Sequence, residues 1–181
     1  MKIIALSGSL RKNSFNTGLI RSAIELKQNS LEIEYFDIKD IPLYNADLDG
    51  QNRPLAVTEL SAKITESDGI LLAVPEYNYS YTAALKNAFD WLSRVTPMPL
   101  LGKPMAMMGA SYGMSGTMRA QLHFRQVVIY MDISVMNKPE VMIAHANDKF
   151  DKHGNLVDES AKEHIKKMLI SFEKFIENNN N

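Results

Sequence analysis

Cysteine is absent from all 181 residues. Its absence excludes disulfides, thiolate nucleophiles, iron–sulfur clusters and cysteine zinc sites, so any redox chemistry has to come from a bound cofactor. The composition fits a reducing compartment. Charge of one sign is lacking too: 20 Lys and Arg stand against 21 Asp and Glu. Such a balance gives neither a nucleic-acid footprint nor a strongly acidic field, and leaves a small molecule as the expected partner. No apolar run reaches membrane-spanning length, and the opening Met1-Lys2-Ile3-Ile4-Ala5-Leu6-Ser7-Gly8 is too short for a signal peptide. The expected location is therefore the cytoplasm, with no membrane partner. Internal repeats and linkers are missing as well, which suits one domain over residues 1–181 with one site. The histidines at 123, 145, 153 and 164 lack metal-ligand spacing, so neither a metal site nor a catalytic histidine is assigned.

What is present is an alternation of short β-branched apolar runs with segments of helical period, the pattern of a parallel sheet covered on both faces. Strands are expected at residues 2–7, 31–36, 69–74 and 105–110. The first helix follows Ser14 as a plausible cap, with Leu19, Ile20, Ala23 and Ile24 on one face. Val57, Leu60 and Ile64 mark the next helix. A third is expected from about Thr82 to Val95, with Ala84, Leu85, Ala88, Phe89, Leu92 and Val95 as its stripe. A fourth, from about Thr117 to Met131, carries apolar residues on every azimuth, so its far side is expected against a second subunit. The last helix begins near Asp158, and the Asn178 to Asn181 run is expected to fray. The resulting fold class is α/β, a doubly wound five-stranded parallel sheet of order 2-1-3-4-5 with helices on both faces. Ligands of such sheets sit outside the carboxyl ends of the strands.

The unusual loops fall on that edge. Gly8-Ser9-Leu10-Arg11-Lys12-Asn13-Ser14-Phe15-Asn16-Thr17 joins hydroxyls, a guanidinium and a helix N-terminus, which together make an anion site. It is neither a Walker loop nor Gly-x-Gly-x-x-Gly, and a phosphomonoester fits it better than a pyrophosphate. Composition alone leaves open a plainer alternative, in which Ser14 merely caps a helix. Pro75-Glu76-Tyr77-Asn78-Tyr79-Ser80-Tyr81 offers tyrosines and an amide that can wall a flat heteroaromatic ring, or equally pack on neighbouring helices. Gly109-Ala110-Ser111-Tyr112-Gly113-Met114-Ser115-Gly116 has three glycines that let backbone approach a ligand, or simply connect a strand to its helix. Their coincidence on one edge argues for a site.

These residues resemble a known family. The loop from Gly8 to Arg11 with Ser14 and Asn16, the block from Pro75 to Ser80, the stretch from Leu85 to Arg94, and Gly102-Lys103-Pro104 are similar to the NAD(P)H-dependent FMN reductases, nearest to the bacterial quinone, chromate and azo reductases. Residues 119–126 and Asn137-Lys138-Pro139-Glu140 extend the likeness over nearly the whole chain.

The resemblance implies a flavodoxin-like fold, non-covalent FMN, NADPH or NADH as co-substrate, and a homodimer or homotetramer. It implies Ser9, Arg11, Ser14, Asn16 and Thr17 around the phosphate, Pro75, Glu76, Tyr77 and Asn78 along the isoalloxazine, and Ser111 and Gly113 on the far rim. Electrons would pass from NAD(P)H to quinones, free flavin, azo compounds or chromate, with no catalytic side chain required because a flavin carries the chemistry. Asp90, Trp91 and Arg94 are read as packing and subunit-contact residues. One departure is plain: Tyr81, Thr82 and Ala83 stand where the family commonly has an aliphatic residue, Pro and Gly, which bears on the acceptor pocket or the start of the helix. The rival reading is a flavodoxin-type electron carrier serving a protein partner. The acidic surface usual for such carriers is missing.

Overall fold

The computed structural model describes residues 1–179. Its strands are β1 (Lys2–Ser7), β2 (Glu32–Phe36), β3 (Gly69–Ala73), β4 (Pro104–Ala110), β5 (Ser134–Val135) and β6 (Val141–Ile143). The helices are α1 (Phe15–Leu26), α2 (Leu55–Thr65), α3 (Ala83–Leu92), α4 (Met118–Ile129) and α5 (Glu159–Asn179). All strand pairs are parallel, in the order β2-β1-β3-β4-β5, with β6 also paired to β4. The doubly wound order expected from the alternation is the one observed.

Period-two alternation sends each central strand's side chains to two cores. Ile3 and Ala5 of β1, Leu71 and Ala73 of β3, and Ala106, Met108 and Ala110 of β4 pack beneath α1 and α5. Ile4, Leu6, Ile70, Leu72, Met105 and Met107 face the other way, toward α2, α3 and α4. The first core uses mostly alanine on the strands, which lets α1 and α5 sit close to the sheet. Burial on both faces explains why these strands read as continuous apolar runs.

The fifth position of the sheet differs from expectation. Two short strands fill it: β5 pairs with the amino end of β4 through Pro104 and Met105, and β6 with the carboxyl end from Met108 to Ala110. Met136 N–H still donates to the Met105 carbonyl at 2.8 Å, residues 137–140 leave the ladder between them, and Pro139 has no N–H to give it. At the chain's end, α5 includes Asn178 and Asn179 as helix. Asn180 and Asn181 lie outside the described residues.

The helix starts carry their own signals. Ser14 caps α1, its hydroxyl accepting from Thr17 N–H, as the sequence suggests. Thr82 caps α3, accepting from Leu85 N–H at 3.3 Å. The departure at Tyr81-Thr82-Ala83 thus changes how a helix begins. Trp91 is fully buried, and its indole N–H donates to the Pro42 carbonyl at 2.8 Å, tying α3 to the polar stretch after β2. Asp90 pairs with Lys86 one turn away. Among the described residues no helix is long and apolar enough to cross a membrane.

Candidate functional site

The carboxyl ends of β1, β3 and β4 surround a cavity of about 660 Å³. Of the residues expected at a site, Ser9, Arg11, Ser14, Asn16, Pro75, Glu76, Tyr77, Ser111 and Gly113 line it. Thr17 and Asn78 do not. The Thr17 hydroxyl turns beneath the loop and donates to Ser7 Oγ at 3.0 Å. The Tyr35 phenol is pushed above its ordinary value by burial and then by Asp37, with Thr17 opposing. Asn78 is exposed on the tip of a two-residue turn.

The first wall is the β1–α1 loop. Gly8 is held against Pro75 and Thr82 so closely that a Cβ would lie 2.8 Å from Pro75 Cδ and 2.9 Å from Thr82 Oγ1. Glycine is required there by packing. Ser9 Oγ lies 3.4 Å from the Tyr77 hydroxyl, joining the first wall to the second. Arg11 is exposed, with its guanidinium 4.9 Å from the centre of the Phe15 ring. Among the described residues no carboxylate pairs with it, so its charge is available to a ligand. The open amides at the start of α1 add the positive end of the helix dipole.

The second wall is built on a tight hairpin. Tyr77 and Ser80 exchange backbone bonds at 2.9 and 3.0 Å around Asn78 (φ 51°) and Tyr79 (φ 65°). Both central residues are left-handed, as a two-residue turn of type I′ requires, an uncommon conformation for tyrosine. Contacts with α4 hold the turn: the Arg119 guanidinium sits 4.2 Å from the centre of the Tyr79 ring, and Ser80 Oγ lies 2.9 Å from His123 Nδ1.

Glu76 is the least exposed of the cavity's charged side chains, at 9%. Its carboxylate is directed to the start of α4, where it accepts from Ala120 N–H at 3.2 Å and from Arg119 and Ser115 at 3.4 Å. That start needs it, because Thr117 precedes α4 in a left-handed conformation and gives no side-chain cap. A residue of the β3 loop therefore caps a helix that follows β4. The third wall, after β4, carries Ser111, Tyr112, Gly113 and Met114. Nothing lies within 4 Å of a Cβ built on Gly113, so that stretch is open to a ligand.

Asn16 lines the cavity, yet both ends of its amide bond the Ala110 backbone, at 3.0 Å each. Tyr79, one of the tyrosines expected to wall a flat ring, lines the cavity too, and Phe15, Tyr112, Ser115 and Arg119 line it with no ligand role assigned from sequence. Their signal is positional: in a doubly wound sheet the first turn of each helix after a central strand faces the ligand edge, and Phe15 and Arg119 both lie in such a turn.

A family model described as NADPH-dependent FMN reductase matches residues 1–148. An NAD(P)H-dependent FMN reductase of Pseudomonas aeruginosa is 44% identical over 176 residues, covering 97% of this chain and 95% of that protein. An NADPH:quinone oxidoreductase of Arabidopsis thaliana is 46% identical over 181 residues, covering 97% of this chain and 91% of its own length. Among solved structures, the flavoenzyme NAD(P)H:(acceptor) oxidoreductase of Paracoccus denitrificans superposes with a TM-score of 0.88 at 32% identity, covering 98% of both chains.

Proposed function

This chain belongs to the NADPH-dependent FMN reductase family, and from that premise we propose that it is an FMN-dependent oxidoreductase passing electrons from NADPH or NADH to small acceptors such as quinones. The observation that carries the reading is the cavity at the strand ends, which joins an unpaired arginine and a helix start to a wall of tyrosines. The residues fit FMN. Arg11, Ser9, Ser14 and the α1 amides suit a phosphate, and Gly113 leaves backbone accessible along the opposite rim.

FMN, when bound, supplies the hydride and electron transfer itself. The protein's residues bind and orient. Ser9, Arg11 and Ser14 hold the phosphate; Asn16 and Thr17 act from beneath, through Ala110 and Ser7. Pro75 and Tyr77 flank the isoalloxazine, Asn78 shapes the turn that follows Tyr77, and Glu76 fixes their loop to α4. Ser111 and Gly113 form the far rim. Free flavin, azo compounds and chromate belong to the same proposal as further acceptors, and the cytoplasm remains the proposed location.

The protein is further proposed to be a homodimer or homotetramer. On α4, Ile129 and Tyr130 are 75% and 73% exposed in the single chain, and Met118 and Leu122 are exposed with them. The test of function is direct. Purified protein should be yellow, release a flavin that chromatographs as FMN, and oxidise NADPH or NADH when a quinone is added. Colourless protein with no flavin affinity would refute the reading, and a flavin-bound protein without turnover would favour an electron carrier.

A further inference from the structure

We propose that Thr82 is a positioning residue that locks the Gly8–Ser9 peptide in the orientation an anion in the first loop requires; this rests on the flavin reading above. The Thr82 hydroxyl donates to the Gly8 carbonyl at 2.6 Å and accepts from Leu85 N–H at 3.3 Å, and both bonds are buried. One oxygen thus joins the floor of the β1–α1 loop to the first turn of α3. Capping α3 needs only the bond from Leu85. The shorter bond to Gly8 has a different consequence.

A trans peptide plane carries its C=O and N–H on opposite sides. Thr82 lies off the cavity, so the carbonyl it holds is directed into the protein. The Ser9 N–H of the same plane is directed the other way, to Ser7 Oγ at 3.3 Å in the floor of the loop. Ser7 Oγ also receives the Thr17 hydroxyl, at the first turn of α1. Turning the plane over would set the Gly8 carbonyl against Ser7 Oγ, break the Ser9 N–H bond there and displace Ser9, which lines the anion side of the cavity.

Residue 8 makes such a turn accessible, because glycine tolerates both signs of φ. It cannot be made stiffer by a side chain, since Pro75 and Thr82 occupy the space of a Cβ. The loop therefore combines a glycine that packing demands with a peptide that glycine leaves free. Thr82 removes that freedom through its hydroxyl.

Thr82→Val removes the hydroxyl at nearly constant volume, and Thr82→Ser keeps it. Full-length proteins are titrated with FMN and with riboflavin by fluorescence quenching. The Val variant is expected to bind FMN about fivefold to tenfold more weakly and riboflavin within about twofold of the parent. The Ser variant is expected to restore FMN affinity to within about twofold of the parent. If the Val variant does not fold, Thr82→Ala gives the comparison, because it too removes the donor to Gly8 and adds no charge near the anion. Unchanged FMN affinity in the Val or Ala variant overturns the proposal, as does equal loss for both flavins or failure of Ser to rescue. A parent protein that binds neither flavin refutes the flavin reading and this proposal with it, whereas tight FMN binding by the parent and the Val variant alike refutes only the role of Thr82.

Discussion

Asn16 and Ala110 exchange two hydrogen bonds, the Asn16 Nδ2 donating to the Ala110 carbonyl and the Ala110 N–H donating to Asn16 Oδ1, each at 3.0 Å. A side chain at the start of α1 thereby pairs with the end of β4 much as a neighbouring strand would. It sets the spacing between the first loop and the rim at Ser111. Asn16→Ala leaves a buried N–H and C=O without partners, and is expected to cost about 2 to 4 kcal/mol of stability. Urea unfolding measures this. FMN and riboflavin should weaken together, because a wall moves rather than a phosphate contact being lost; an unchanged unfolding midpoint contradicts the assignment.

Glu76 joins the β3 loop to α4 through its carboxylate. Glu76→Gln keeps the shape but loses the charge that faces Arg119 and the helix start, and should lower stability by about 1 to 2 kcal/mol. FMN affinity should change less than about threefold, since such a change is under 1 kcal/mol and the carboxylate is directed at α4. Loss of FMN binding with unaltered unfolding would show that the carboxylate acts on the ligand.

The central sheet was legible because strands buried on both faces read as unbroken apolar runs, and Ser14 was legible because a cap is a local signal. The split between β5 and β6 was not: strands of two and three residues are too short for a period-two pattern to register. Nine of the cavity's residues could be placed at one edge by topology, but their partners could not. Asn16 finds Ala110 at a separation of 94 residues, and Glu76 finds Ala120 at 44. Which atoms a polar side chain spends on backbone is decided by tertiary packing. The resemblance alone gives Asn16 and Thr17 to the phosphate; the structure directs their polar atoms to Ala110 and Ser7. The third helix also ends at Leu92 rather than near Val95, and the pre-proline Thr96 disfavours its continuation.

Asp151 organises the loop that supports α1 from below. Its carboxylate accepts from the N–H groups of His153 and Asn155 at 2.8 and 2.9 Å. Arg21 of α1 then donates to the Gly154 carbonyl at 2.8 Å. The Asn155 N–H, foremost, holds the Asp151 carboxyl below its ordinary range. A folded-state value below the unfolded one stabilises the protein above the unfolded value, about 3.9, and the gain is lost as pH falls through the folded value. Asp151→Asn should therefore melt below the parent at neutral pH. The gap should close as the pH is taken into and below that acid range, and a gap that stays constant with pH rules out the charge as its source.

Ile129 and Tyr130 close α4 with two large exposed side chains. If a second copy covers them, as the dimer or tetramer proposed above requires, Ile129→Arg combined with Tyr130→Glu should shift the mass measured by light scattering to that of the monomer. Buried interface apolar groups replaced by charge leave that charge unpaired on association. A parent protein that is monomeric at micromolar concentration refutes the proposed assembly.

Arg11 carries the most specific expectation for the cavity, because its guanidinium stacks over Phe15 with no carboxylate partner among the described residues. A charge-assisted contact to a phosphate contributes on the order of 1.5 to 3 kcal/mol when the geometry is good. Arg11→Ala should thus weaken FMN about tenfold to a hundredfold and leave riboflavin, which has no phosphate, nearly unchanged. The flavin-free melting temperature should hold, since an exposed loop arginine contributes little to the fold. The comparison between the two flavins decides the matter: damage to the whole loop would harm both, whereas loss of a single phosphate contact harms only FMN. Wild-type FMN affinity in the variant, or equal loss for riboflavin, removes Arg11 from the phosphate site and returns the β1–α1 loop to a plain helix-capping turn.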